Sequence, residues 1–539
     1  MSAAGGELAR VTDADKCVFA NLLNRWADEQ PDKVFARFYK GSPWTYGETL
    51  SLACRTAHSL RALGVKQGDF VLCWLPNGPD ILKVWLGLNL LGAVYVPLNT
   101  SYRGGLLEHV IKLTGASLLV GHTQLLERLD DVDTGRLTDV VAIGKDAPAT
   151  IGGLNLHSAS ALESGADYPV ETDRPIEAWD NQSVIFTSGT TGPSKAVLST
   201  YAHLYAQSGE AFGPFTRDDC YFLDLPLCHV AGTIPVGVAL ANGASVGVIE
   251  SFHPDTFWDA IDEMGCTWAY VVLAMPRLLM NAPESPRDKS HALKNIIISS
   301  DTRDFCKRFG VTGWAAFGMS EICTPTFTEH SLTDESLALS CGKMRSGIEA
   351  RLVDAHDNEV PVGEVGELIM RTERPYMFSH GYLNNPEATA KAWRNGWFHS
   401  GDLMRIDEAG NYFFVDRLKD AIRRRGENIS SFEVEAAVAT FPPVREVAAI
   451  PVRDDIGDEE VMIVVSCDPN VEIDNAALIA HLVKALPHFM VPRFVRVVEN
   501  LPRTDTGKVQ KTGLVAEGVT PDTWDRESEG IVIKRQALS

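Results

Sequence analysis

Residues 69 to 99 constrain the fold more tightly than any other stretch. "DFVLCWLPNG" (69–78) and "AVYVPLN" (93–99) read as strands, and between them lies an amphipathic segment, "DILKVWLGLNLLG" (80–92). Strand, crossover helix and strand at this spacing make a βαβ unit and require a parallel sheet. The order repeats near "ASLLVG", "DVVAIG" and "SVIFTSG". An α/β core is therefore expected. After about residue 340 the texture changes to short, turn-rich strands such as "GIEARLVDAHDNEVPVGEVGELIMR" and "GNYFFVDR", the pattern of a small β subdomain. The charged connector "RLKDAIRRRGEN" then opens another α/β stretch that closes near Leu514.

The expected architecture is a multi-domain α/β protein. A large N-terminal domain, residues 1–416, would hold two α/β subdomains and a small β-barrel-like subdomain at about 340–416. A smaller, mobile α+β C-terminal domain would span 417–514, and the polar residues 515–539 would form a loosely attached tail. At 539 residues, two or more folding units fit the length.

A formal charge of −22 argues against a nucleic-acid or anionic-membrane partner, since either needs a basic face. Any polyanionic ligand must be held locally. Ten cysteines without a Cys-x-x-Cys pair suit a reducing compartment, and the charged opening "MSAAGGELARVTDADK" lacks the apolar run of a signal peptide. A cytoplasmic location is expected. Residues 230–249 carry no charge, but Pro235 and the turn pair Asn242-Gly243 break the run, so it reads as a buried helix, a turn and a strand rather than a membrane span.

Directly behind an apolar strand stands "IFTSGTTGPSK" (185–195). Glycines let successive N–H groups converge on phosphate oxygens, and hydroxyls and a lysine add donors. The spacing Gly189-x-x-Gly192-x-x-Lys195 is not that of a Walker loop, which disfavours an ordinary P-loop kinase or GTPase.

The complete string "TSGTTGPSK" closely resembles the phosphate-loop signature of the adenylate-forming superfamily of acyl-CoA synthetases, luciferases and peptide-synthetase adenylation domains. "PLCHVAG" (226–232), "AAFGMSE" (315–321), "GWFHSGDL" (396–403), "DRLKDAIRRRGENIS" (416–430) and "LPRTDTGKVQK" (501–511) follow in the family order. "RRRGENIS", "FCKRFGV" and "RDDIGDE" look most like the crotonobetaine/carnitine-CoA ligase branch.

The resemblance implies an ATP-dependent acyl-CoA ligase that makes acyl-AMP and pyrophosphate, then passes the acyl group to the thiol of CoA. Alternatives are an acyl-AMP ligase loading a carrier protein and a non-enzymatic nucleotide-binding module. By the resemblance, Thr187, Ser188, Gly189, Thr190, Thr191 and Lys195 cradle ATP phosphates. Phe317 stacks on the adenine, Gly318 and Met319 belong to the same ATP/AMP-binding segment, the hydroxyl of Ser320 reaches a phosphate, and Glu321 holds Mg²⁺. Asp402 accepts from the ribose hydroxyls, Arg417 reaches ribose or phosphate, and Lys508 bridges the attacking carboxylate and the α-phosphate.

Lys419 takes the place of the domain pivot, and Gly426, Glu427 and Asn428 line the pantetheine path. The run Arg423, Arg424 and Arg425 is either a contact for CoA phosphates or a solvated basic face. His229 stands beside the acyl pocket, whose lining includes residues near Val272–Met275 and Cys323–Thr324. Relatives often carry a Gly-Ala-Pro turn near the adenine where this chain reads "IIISSDTRDFC" (296–306), and usually threonine at positions 320 and 400. The expected partners are ATP, a small carboxylic acid and CoA, with a homodimer as the expected assembly.

Overall fold

A computed structural model describes residues 10–187, 194–271, 274–298, 303–417, 422–425, 427–429, 431–453, 459–467, 471, 473–502, 509, 511 and onward to 533. Its architecture is α/β with several sheets, as the strand and helix alternation requires. The βαβ unit is present: Phe70–Trp74 pairs parallel with Val94–Pro97 across the helix Pro79–Leu91. That helix starts on Gly78 with Pro79 in its first turn and stops at Gly92, whose φ of 73° is a left-handed cap.

The helix is not amphipathic in place. Every residue from Ile81 to Leu91 except Lys83 is buried. The helix Tyr46–Ala62 covers its outer side so closely that a Cβ on Gly87 would lie 2.7 Å from the Thr56 side chain. Burial on both sides, by a sheet and a second helix, removes the polar face that the sequence suggested.

A seven-stranded sheet runs in the order 155–158, 139–143, 118–122, 70–74, 94–97, 181–187, 195–200, parallel except for the last hairpin. An eight-stranded sheet built from residues 34–45 and 220–329 is parallel at its centre and antiparallel at both ends. The main core lies between them, where helices carrying Trp26, Ala57, Trp85 and Leu240 meet Tyr95 of one sheet and Val246 of the other. Trp85 stacks on Tyr95 at 5.0 Å. Burying each such ring contributes on the order of 2–3 kcal/mol, so the two sheets form one body.

Residues 340–417 form a separate antiparallel sheet of six strands. The uncharged stretch folds as the helix Val230–Asn242, a left-handed Gly243 and the strand Ser245–Val248. Pro235 sits inside that helix rather than splitting it, at the expense of one backbone bond near its start.

The hairpin Ile422–Arg424/Glu427–Ile429 and a four-stranded sheet, 444–453, 459–467, 494–498 and 524–525, make up the C-terminal region. Its last strand corrects the expectation of a loose tail. Trp524 and Asp525 pair with Val495 and Phe494, and Arg526 is 2% exposed. Polar residues that read as solvated in sequence are here consumed by ion pairs such as Arg493–Asp525 at 3.0 Å.

Candidate functional site

The hairpin of strands 181–187 and 195–200 brings Thr187 opposite Lys195, so the two ends of the glycine-rich turn meet at one sheet edge. Ser188, Gly189, Thr190 and Thr191 lie outside the described residues. The Lys195 ammonium stands over the Tyr382 ring, 4.7 Å from its centroid. Burial lowers its pKa, opposed by the field of the Glu321 carboxylate and reinforced by Lys391. Glu321 is 8% exposed, and its Oε1 accepts a 2.9 Å bond from the Tyr382 hydroxyl. A cation, a phenol and a carboxylate thus share one corner.

The turn 318–321 owes its position to the helix Tyr201–Gln207. The Gln207 side-chain amide donates to Met319 O at 3.2 Å and Ile322 O at 2.8 Å. His203 is fully buried, with Nε2 3.1 Å from Ile322 O and Nδ1 3.1 Å from Ser199 Oγ. A carbonyl only accepts, so Nε2 carries a proton. Burial holds its pKa down at about 4. Phe317 ends the strand Thr312–Phe317 and, with Met319, packs against the core of the six-stranded sheet, while Gly318 is exposed. Ser320 is half-buried beside Glu321.

Asp402 is 3% exposed and lies in register with Arg417 on the neighbouring strand. Ser400, where threonine was expected, donates to Leu368 O at 2.6 Å and accepts from the Asp402 N–H, so the hydroxyl alone does the structural work. Lys419, Gly426 and Lys508 lie outside the described residues. So do Val272 and residues 299–302 of the proposed adenine region, whereas Met275, Cys323 and Thr324 are buried.

From the C-terminal side, Glu427 approaches His229 Nε2 at 2.8 Å as an ion pair. Burial works against the charged ring, but the Glu427 carboxylate overrides it and raises the pKa above the ordinary histidine value. Asn428 pairs with Arg423 in the hairpin. Arg424 is not a solvated charge: it is buried, with its guanidinium 2.6 Å from Glu460 and bonded to Phe489 O. Arg425, with a left-handed φ of 51°, is exposed.

Glu433, 8% exposed, accepts from both the backbone N–H and the hydroxyl of Ser194, at 2.8 and 2.5 Å. A cavity of about 210 Å³ runs between the two regions. Its walls include Asn99, Ser101, Cys228, Arg425, Glu427 and Phe489.

Tyr382, Gln207, His203 and Glu433 were not foreseen from the sequence. Tyr382 lies 61 residues from the carboxylate it serves, and Glu433 lies 239 residues from Ser194. No local pattern links such partners.

The AMP-binding enzyme family model matches residues 23–383, and the AMP-binding enzyme C-terminal domain model matches 433–508. A crotonobetaine/carnitine–CoA ligase of Escherichia coli O45:K1 is 29% identical over 472 residues, covering 85% of this chain and 90% of the relative. Among solved structures, an o-succinylbenzoate CoA synthetase double mutant from Bacillus subtilis, bound to its product analogue, superposes with a TM-score of 0.78 at 20% identity. It covers 92% of this chain and 98% of that one. ATP-bound MatB from Rhodopseudomonas palustris gives 0.61 at 25% identity over 92% and 98% of the two chains. The matched span includes the Thr187–Lys195 hairpin, Glu321 and Tyr382, and the chain belongs to the AMP-binding enzyme family of adenylate-forming ligases.

Proposed function

We infer that this chain is an AMP-forming acid–thiol ligase that makes an acyl-CoA from a small carboxylic acid, ATP and CoA. The observation that carries the reading is the meeting of Lys195, Tyr382 and Glu321 where the paired strands of the glycine-rich hairpin end. In the first step a carboxylate oxygen of the acid attacks the α-phosphorus of ATP, the bond to the bridging oxygen breaks, and pyrophosphate leaves. Two anions meet in that step, so fixed cations lower its barrier. Lys195 serves the outgoing phosphates, and Lys508 the attacking carboxylate and the α-phosphate.

Glu321 fits an Mg²⁺ carried in with ATP. Tyr382 occupies Oε1, no donor among the described residues contacts Oε2, and no group of three His, Cys, Asp or Glu there forms a protein cage. The ion would neutralise developing phosphate charge. Asp402 and Arg417 hold the ribose, with Phe317 along the adenine.

In the second step the thiol sulfur attacks the acyl carbon of the adenylate, a C–S bond forms, the C–O bond to phosphate breaks, and AMP leaves while the thiol proton passes to solvent. The domain orientation described here suits this step. Glu433 occupies donors of Ser194, at the end of the loop that would hold the β- and γ-phosphates, a position it could not share with them. Leu501 and Val509, which flank the Lys508 segment, pack with Ile450 and Val464 on one face of the C-terminal sheet, whereas Leu106 of the N-terminal region packs on the opposite face with Ile463. Turning the C-terminal region about Lys419 would bring Lys508 in for the first step.

Glu427, which lines the cavity, and His229, paired with it, border the thiol path. Buried Met275, Cys323 and Thr324 favour a compact, uncharged acyl group over a quaternary ammonium acid. A cytoplasmic setting agrees with ten free cysteines, and homodimer assembly is tested by light scattering. No helix among the described residues is long and apolar enough to cross a membrane.

The deciding assay follows pyrophosphate release with ATP, Mg²⁺ and an acid panel, with and without CoA. Thioester formation with free CoA is expected. Release without any transfer to CoA would point to a carrier protein as acceptor, and no release with any acid would overturn the reading.

A further inference from the structure

The C-terminal family model stops at residue 508, yet the chain beyond it is folded into the C-terminal region. Arg526 organises that extension. Its backbone N–H donates to Arg493 O at 3.1 Å, its guanidinium to Pro492 O at 3.1 Å and Ile531 O at 2.8 Å, and its own carbonyl accepts from the Ile531 N–H at 2.9 Å. The turn 526–531 is thereby wrapped around one buried side chain. Beyond it, Ile531 and Ile533 pack against the core that contains Ile422, Ile429 and Phe489.

Ile533 then reaches the interdomain cavity, where it stands in the same wall as Arg425, Glu427 and Phe489 and across from Asn99 and Ser101. The wall is tied together by charge. Glu460, 1% exposed, pairs with Arg424 at 2.6 Å and Arg425 at 3.2 Å, and its field also reaches Arg526. A carboxylate so deeply buried needs its cations, so the hairpin and the extension hold their places together.

We propose that residues 524–533 form one wall of the thiol-acceptor channel. Ile533 is the specificity-determining contact for the acceptor's pantetheine arm, and Arg526 is the positioning residue that holds it there. The proposal rests on the reading of the cavity as the acceptor path. The apolar side chains of Ile533 and Phe489, in a wall that also carries Arg425 and Glu427, match the gem-dimethyl and methylene portion of a pantetheine chain, while adenylation takes place at the Glu321 corner and does not involve this wall.

The test measures two half-reactions with the acid that gives the fastest pyrophosphate release. Ile533→Trp is expected to raise KM for CoA at least fivefold and to leave CoA-independent pyrophosphate release within twofold, with Ile533→Ala shifting KM less than threefold. Ser101→Phe, on the opposite wall, should also raise KM for CoA. If Ser101→Phe does so and Ile533→Trp stays within twofold, the wall role of the extension is overturned while the channel reading stands. If both are silent, the cavity is not the acceptor path and the proposal falls with it. Arg526→Gln should reproduce the KM shift of an Ile533 variant, and Arg526→Lys should restore part of it. A lower melting temperature with unchanged KM would make Arg526 merely structural and refute its positioning role.

Discussion

The Glu321 corner and the interdomain channel are held by contacts of different kinds. At the corner, buried and neutral hydrogen bonds from Gln207 and His203 fix the turn that carries Glu321, all within one continuous core. Across the channel, His229–Glu427, Ser194–Glu433, Ser101–His488 at 3.1 Å and Arg103 to Val483 O at 3.3 Å join the two regions. Contacts of the first kind are lost only when the core opens. The second kind are separate polar tethers, each worth about 1 kcal/mol, and a swing of one region can exchange them for others. The chemistry of charge stabilisation is thus built on a rigid frame, and acceptor delivery on a separable one.

The largest test of that contrast is Lys508→Ala. Adenylation should fall a hundredfold or more, about 3 kcal/mol, by analogy with deleting one preorganised donor. Thioester formation from supplied acyl-adenylate and CoA should remain within threefold of the parent. Equal losses in the two rates would show that the halves of the reaction are not separable.

Next in size is the acid response of the corner. The folded pKa of His203, about 4, lies below the ordinary 6.5, so its stabilising contribution is complete above pH 6.5 and is lost as pH falls towards 4. Urea unfolding should show a stability loss of at most about 3 kcal/mol over that window. His203→Gln should flatten the slope, and an unchanged slope would remove His203 as its source.

Gln207→Leu leaves the Met319 and Ile322 carbonyls without their amide donor and should cost about 1–2 kcal/mol of stability. Because the turn it steadies carries Glu321, the Mg²⁺ concentration for half-maximal pyrophosphate release should also rise, several-fold. A drop in melting temperature alone would separate stability from site geometry.

The smallest effect lies at the interface and has the opposite sign to His203. The His229 pKa is raised when paired with Glu427, so the pair's contribution is complete below about pH 6.5 and fades as pH rises through the raised value. The side chain is 37% exposed, which screens the pair to less than about 1 kcal/mol. Fluorescence energy transfer between the two regions should report slightly weaker docking at pH 9 than at pH 6, and His229→Gln should abolish the difference.

Much of this was legible in the linear chain. The βαβ alternation before residue 100, the change to short antiparallel strands after 340, and the ordered motifs around Lys195, Glu321 and Asp402 depend on local periodicity, turn chemistry and residue type, which a sequence carries directly. Tertiary structure decided the rest. Burial on both sides took away the polar face expected of the helix Pro79–Leu91, and two residues of the polar stretch after 515, Trp524 and Asp525, became an edge strand. Tyr382 under Lys195, Glu433 on Ser194 and Ile533 in the channel wall are encounters between segments tens to hundreds of residues apart. Such meetings depend on how sheets pack and how one region docks on another, and spacing along the chain carries no record of either.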